Sequence, residues 1–252
     1  MPSDLHPKDF VREYGIRSLV CCFSAGKDSL VATHLVLSEV ADTPLEKHVL
    51  LVDTTVFIPV ALDFAKEISA QQGWPLTIVQ PKQDFWTQAR RKGMPWCRRR
   101  WCCEGLKLGP MRDFIRALPP QRAAVTGLRR DESERRRKIQ QVIYDRRRGV
   151  NCWNYAPLAD WTEKDVLSYI KAHNLPMPPH YRMGFKETCM CGTFCSKKEI
   201  LILKAYYPEI FQKFVDLEKD FRNKTWSAFW DHGQVWARDL AKQKHLTEAA
   251  EV

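Results

Sequence analysis

Phe23-Ser24-Ala25-Gly26-Lys27-Asp28-Ser29 decides the fold class of this chain. Before it, Ser18–Phe23 is short and apolar, the pattern of a buried strand, and after it Leu30–Leu37 has the pattern of a helix. A strand, a tight glycine turn and a helix present backbone N–H groups at a helix N-terminus, where an anionic phosphate is favoured. Gly26 lets the backbone approach closely. Lys27 adds a point charge, and Ser24 and Ser29 add hydroxyl donors. The Walker pattern is excluded, because its first glycine and its spacing are missing.

The alternation continues outward. His48–Asp53 reads as a second buried strand ending in a carboxylate. Asp53 and Thr54 then fall beyond a strand's carboxyl end, where ligands bind in open parallel sheets. A turn acid or helix cap at Asp53 would give the same sequence. Pro59 suits the first turn of a helix, with Val60, Phe64 and Ile68 on one face. Leu76–Val79 reads as a third strand, Asp84–Arg91 as a helix, and a further helix ends near Leu118. Ala123–Gly127 is a fourth strand, and Ile139–Tyr144 is another. This β-α-β-α-β order argues for an α/β fold, a mostly parallel sheet covered by helices. Thr162 with Asp165 three residues on is a helix-start box, and the aromatic-rich stretch from Ser196 to His245 reads as helices. The expected division is a nucleotide-binding α/β domain over 1–160 and a helical, cysteine-containing region over 161–252.

The 252 residues suit one domain with an appendage, and the formal net charge is +10. The positive charge is clustered in Arg98–Arg100, Arg129-Arg130, Arg135–Lys138 and Arg146–Arg148. Such clusters favour an anionic partner, be it nucleotide, nucleic acid or acidic protein. Arg129 and Arg130, just after the strand end at Gly127, are the candidate anion ligands, since guanidinium suits phosphate and sulfate. The outer runs are either a nucleic-acid track or a solvated surface. Met1–Tyr14 is polar and mixed in charge, and no apolar run is long enough to span a membrane, so no membrane association and a cytoplasmic location are expected. Nine cysteines in such a compartment point to metal or redox chemistry more than to disulfides.

Five stretches in order carry a resemblance. They are the Gly-Lys loop, Val52–Thr55, Trp101–Lys107, Thr126–Ser133 and Pro157–Thr162. Together they resemble the PAPS reductase-like branch of the PP-loop, or ATP pyrophosphatase, superfamily, whose loop reads S-G-G-K-D-S; here Ala25 replaces one glycine. The resemblance implies a Rossmann-like sheet of the adenine nucleotide alpha hydrolase-like kind, followed by a C-terminal helical region. It implies an adenine nucleotide, ATP or PAPS/APS, with its phosphates on Ser24, Ala25, Gly26, Lys27, Asp28 and Ser29. Asp53, Thr54, Gly127, Arg129 and Arg130 would complete that site. Lys27, Asp28 and Arg129 would act in catalysis, with Mg²⁺ on the phosphates.

Two departures bear on activity. Well-known sulfonucleotide reductases carry a nucleophilic cysteine in a C-terminal Glu-Cys-Gly-x-His segment, whereas Lys242–Val252 holds no cysteine. Those reductases also tend to lose the loop lysine, which Lys27 retains. Lys27 would neutralise β- and γ-phosphate charge that APS and PAPS lack. Both departures favour an enzyme that activates its acceptor with ATP.

Iron–sulfur members of the branch use a Cys-Cys pair and a later Cys-x-x-Cys pair. Here Cys102-Cys103 is followed, 86 positions beyond Cys103, by Cys189 in a Cys-x-Cys-x-x-x-Cys arrangement with Cys191 and Cys195. These five, with Cys97 in reserve, are the candidate ligands of a [4Fe-4S] cluster; zinc is the rival, because four thiolates suit it too. A thiol left over would serve as sulfur carrier or nucleophile. Cys21 and Cys22 fall in a strand and are expected in the core, and Cys152 has no assigned role. The first expectation is therefore an ATP-dependent sulfur-transfer enzyme acting on tRNA or DNA, fed by a sulfur-donor protein such as a cysteine desulfurase. A sulfonucleotide reductase and a non-catalytic nucleotide-binding iron–sulfur subunit are the alternatives.

Overall fold

The computed structural model describes residues 5–95, 99–193 and 195–220. Cys97 and the C-terminal Trp226, Phe229, Trp230 and Trp236 lie outside the described residues. The chain forms two units that interleave in sequence. The first takes the chain up to Asp53, then Pro59–Val79 and Gly109–Pro179; the second takes Thr54–Ile58, Gln80–Leu108 and the described chain from His180 on.

The first unit holds a six-stranded sheet: β1 (Ser18–Cys22), β2 (Glu46–Val52), β3 (Leu76–Val79), β4 (Arg122–Val125), β5 (Val142–Asp145) and β6 (Cys152–Tyr155). Their spatial order is β3-β2-β1-β4-β6-β5. Every neighbouring pair is parallel except β5 with β6. Its helices are α1 (Pro7–Glu13), α2 (Lys27–Glu39), α3 (Pro59–Gln71), α5 (Gly109–Ala117) and α6 (Glu163–Ala172). Val20, Leu50 and Ala124 line one sheet face and pack on Ile115, with Phe114 and Leu118 beside it. Residues alternate across a strand, so Leu19, Val49, Leu51 and Ala123, all fully buried, serve the other face.

Most expected elements are present, with three differences. The helix after the loop starts at Lys27 rather than Leu30, because Gly26 takes an extended N-cap conformation (φ −91°, ψ 161°) and the helix begins at the next residue. The buried face of α3 is Ala61, Phe64, Ala65 and Ile68, without Val60. β6 was not expected: its Cys-Trp-Asn-Tyr run holds no β-branched residue, and only Cys152 and Tyr155 are buried. The chain reaches it by doubling back after β5, with Arg148, Gly149 and Asn151 all at positive φ, so β5 runs antiparallel at the sheet edge. Cys21 is in the core as expected, whereas Cys22 is half-buried.

The second unit holds α4 (Phe85–Lys92), α7 (Lys197–Tyr206) and α8 (Pro208–Asp220). Asp84 caps α4 by accepting the Thr87 N–H at 2.8 Å. Phe85, Trp86 and Phe214 pack edge to face, and the Trp101 ring lies against Phe85. Phe211 and Phe214 are buried as core residues, while Tyr206 is exposed. The Cys189 segment is pinned by two backbone bonds, Ile58 N–H to Thr188 O at 2.8 Å and Met190 N–H to Val56 O at 2.9 Å. Among the described residues no helix is long and apolar enough to cross a membrane.

Candidate functional site

β1 lies between β2 and β4, so the strand order reverses direction there. In open α/β sheets that reversal leaves a crevice at the strands' carboxyl ends, and the connections after β1 and β4 meet in it. The Ser24 N–H donates to Ser29 Oγ at 3.1 Å, the two serine hydroxyls are 3.0 Å apart, and Ser29 Oγ donates to Gly26 O at 2.9 Å. This internal bonding fixes the loop's shape. Ala25, fully buried, sits at φ 59°, the left-handed region that glycine adopts without strain. Gly26 offers no side-chain cap to α2, and the N-terminus of a helix favours an anion.

Gly127, from the connection after β4, packs on the loop itself. A Cβ there would lie 2.6 Å from Asp28 C and 2.7 Å from Ser29 N. Two residues on, Arg129 is buried and donates from Nε to Asp28 Oδ1 at 2.7 Å, and from Nη1 to Asp131 Oδ2 at 3.1 Å. Burial works against the guanidinium charge, but Asp28, Glu132 and Asp131 more than offset it and hold its pKa above the ordinary value. Arg130 donates to Ile139 O at 3.0 Å and pairs with Asp160. Lys27 Nζ lies 3.4 Å from Asp28 and 3.2 Å from Glu163 at the start of α6.

The thiols belong to the second unit. Cys102 Sγ is 3.4 Å from Cys191 Sγ, and the Thr193 hydroxyl lies 3.4 Å from the first and 3.3 Å from the second. The Thr54 hydroxyl donates to Cys189 at 3.3 Å. A hydrogen bond with Cys103 pushes the Cys102 thiol up to about 12, and one with Cys102 pushes Cys191 up to about 11. Cys189 is raised well above its ordinary value by its bond with Cys191 and by burial. Cys103 moves the other way, stabilised as thiolate by Cys102 and also by the Arg100 charge. Cys102 and Cys191 are thus in direct sulfur–sulfur contact, and Cys103 and Cys189 act on that pair through their effect on its thiols. The Cys195 thiol lies on Met190 Sδ at 3.7 Å, and burial and then the nearby Cys191 raise it well above its ordinary value.

The phosphoadenosine phosphosulfate reductase domain matches residues 18–193. The chain belongs to this reductase-domain family. A protein of Methanocaldococcus jannaschii is 30% identical over 235 residues, which is 91% of this chain and 54% of that protein. An adenosine 5'-phosphosulfate reductase of Salinibacter ruber is 30% identical over 162 residues, covering 64% of this chain and 61% of the relative. The chain thus spans between half and two thirds of the length of these curated relatives. Among solved structures, a PAPS reductase from Candida auris in a phosphate complex superposes with a TM-score of 0.54 at 19% identity, covering 73% of this chain and 87% of that one. The U34-tRNA thiolase NcsA from Methanococcus maripaludis, solved with its [4Fe-4S] cluster, gives 0.50 at 15% identity over 82% and 72%. Both show a shared fold.

For this member of the reductase-domain family, the expected residues fall as follows. Ser24 to Ser29, Gly127 and Arg129 come together at the carboxyl ends of β1 and β4. Asp53 follows β2 and donates its N–H to Val79 O at 2.9 Å. Thr54 directs its hydroxyl to a thiol, and the Arg130 guanidinium is taken by Ile139 O and Asp160. Of the five expected metal ligands, Cys102 and Cys191 are in contact at 3.4 Å, and Cys189 accepts from Thr54. Cysteine thiolates are by their softness the ligand type of iron–sulfur clusters. Among the described residues no group of three or more His, Cys, Asp or Glu is arranged as ligands around one ion. Sulfurs that hydrogen-bond to one another share protons, and ligation requires those protons to leave. The sequence reading missed Glu163 and Thr193, whereas Asp131 was expected to pair with a neighbouring arginine and does so with Arg129. Glu163 was legible only as a residue inside the Thr162–Asp165 capping box, because its meeting with Lys27 spans 136 positions.

Proposed function

We propose that the chain is an ATP-consuming sulfur-transfer enzyme of the PAPS reductase-like family whose acceptor is a nucleic acid, tRNA or DNA. The observation that carries this reading is Lys27 as the first residue of α2, whose N-terminus has no side-chain cap. The α2 N–H groups and Lys27 bind the phosphate chain of ATP. Asp28, fixed by Arg129, orients Lys27, and Mg²⁺ when bound neutralises further phosphate charge. An acceptor oxygen attacks the α-phosphorus in line, the bond to the β-phosphate oxygen breaks, and pyrophosphate leaves. A sulfur nucleophile then displaces AMP, taking the oxygen with it. Cys102, Cys103, Cys189 and Cys191 are the residues proposed to hold a [4Fe-4S] cluster, which would supply or bind the sulfur. A sulfur-donor protein such as a cysteine desulfurase would replenish it. Arg129 acts in this scheme by holding Asp28.

A second reading, a sulfonucleotide reductase, is supported by the name of the Salinibacter relative. There a thiolate would attack the sulfur of APS or PAPS, the adenosine phosphate would leave, and a thiol reductant would release sulfite. Product analysis separates the two. The anaerobically purified protein receives ATP in one tube and PAPS in another, with a thiol reductant and bulk nucleic acid in both. AMP and pyrophosphate from ATP is the expected result. Sulfite from PAPS with ATP untouched would overturn the first reading in favour of the second.

A further inference from the structure

Five residues of the first unit close a ring of charge around the phosphate loop. Lys27 Nζ meets Asp28 Oδ2 at 3.4 Å, and Asp28 Oδ1 accepts from Arg129 at 2.7 Å. Arg129 donates to Asp131 Oδ2 at 3.1 Å, and that same oxygen accepts the Glu163 N–H at 3.2 Å. The Glu163 carboxylate returns to Lys27 at 3.2 Å. The two carboxylates on Lys27 differ in how they are held. Asp28 is fixed by Arg129, whose side chain is 4% exposed, and breaking a buried pair of this kind is costly. Glu163 is 61% exposed, among the described residues it pairs with Lys27 alone, and its backbone N–H ties it to Asp131. An exposed pair of this kind is weak and readily exchanged.

We propose that Glu163 is the exchangeable counter-ion of the phosphate loop. It is a positioning residue that holds Lys27 across the loop mouth until a phosphate chain replaces it. This rests on the reading of the loop as a phosphate site. Entry of a phosphate oxygen at Lys27 puts two anions on one ammonium, and the Glu163 side chain swings into solvent. The bond between its N–H and Asp131 stays, so α6 keeps its start. The exchange lowers affinity for every anion that must displace it. It favours ligands carrying several negative charges over orthophosphate or sulfate, and it returns Lys27 to a neutralised state as pyrophosphate departs.

The test is titration calorimetry of the full chain with pyrophosphate and with ATP, in EDTA, for the wild type, Glu163→Gln and Glu134→Gln. Glu134, 77% exposed and paired with Arg137, controls for the loss of one negative charge. Glu163→Gln should bind both ligands about three- to five-fold more tightly, the range expected for losing one exposed ion pair. Glu134→Gln should leave both affinities unchanged. Unchanged or weaker binding by Glu163→Gln would overturn the proposal while leaving the phosphate site in place, as would equal tightening by Glu134→Gln. No binding by the wild type or by Glu163→Gln would overturn the phosphate-site reading, and this proposal with it.

Discussion

Gly127 shows how narrowly the phosphate loop is built. A methyl group there would meet the Asp28 carbonyl carbon and oxygen at 2.6 and 2.7 Å and the Ser29 nitrogen at 2.7 Å. All three are backbone atoms, so no side chain can give way. Gly127→Ala must therefore push the start of α2 away from β4. Overpacking of this kind costs about 1–3 kcal/mol, and it strikes the loop amides and the Arg129–Asp28 pair together. A lowered denaturation midpoint and at least a ten-fold loss of ATP affinity are expected. Unaltered affinity in a destabilised variant would mean that the loop does not hold the phosphates. Ala25 is the opposite case. Its left-handed backbone is strained by roughly 1 kcal/mol, but its methyl group is fully buried, which offsets much of that strain.

At the scale of elements, short segments do the positioning. The Cys189 segment is held against Val56–Ile58 by an isolated antiparallel bridge between Phe57 and Cys189. This fixes where Cys189 and Cys191 stand relative to Thr54. Cys195 precedes the Ser196 cap of α7, whose capping box with Glu199 sets the helix start. Its sulfur lies on Met190 Sδ. The proposed ligand set follows from this placement. After anaerobic reconstitution, Cys102→Ser and Cys191→Ser should lose most of the iron per chain, while Cys195→Ser should retain it. Full iron in the first two variants, or its loss in Cys195→Ser, would refute the set.

On the scale of the whole molecule, sheet topology sorts the basic runs. Arg135–Lys138 lies in the connection from β4 to β5, at the carboxyl end of the parallel strands, the end that also carries the Gly-Lys loop. Arg146–Arg148 follows β5, which is antiparallel to β6, so it sits at the opposite end. Within the first run, Arg136 pairs with Glu132 and Arg137 with Glu134, which neutralises part of its charge. Under the proposed reading, tRNA binding should weaken about ten-fold when salt is doubled from 0.1 to 0.2 M, if about four phosphates are contacted. Replacing Arg135 and Lys138 by Gln should flatten that dependence, whereas replacing Arg146 and Arg148 should not. Salt-independent binding would count against a nucleic-acid acceptor.

What the sequence by itself determined is local. The apolar run before Phe23, the glycine turn, the box at Thr162 and the paired cysteines are written in neighbouring residues, where strand and helix periods and cap chemistry operate. β6 was invisible because its Cys-Trp-Asn-Tyr run holds no β-branched residue and alternates neither in polarity nor in burial. The tertiary structure alone brought Arg129 to Asp28 across 101 positions, set Glu163 on Lys27, and chose Cys102 and Cys191, 89 positions apart, as neighbours. The physical reason is common to all of these. Each contact is made by the order of strands in the sheet or the pinning of a loop, and pairings over such separations leave no periodic trace in the residues that make them.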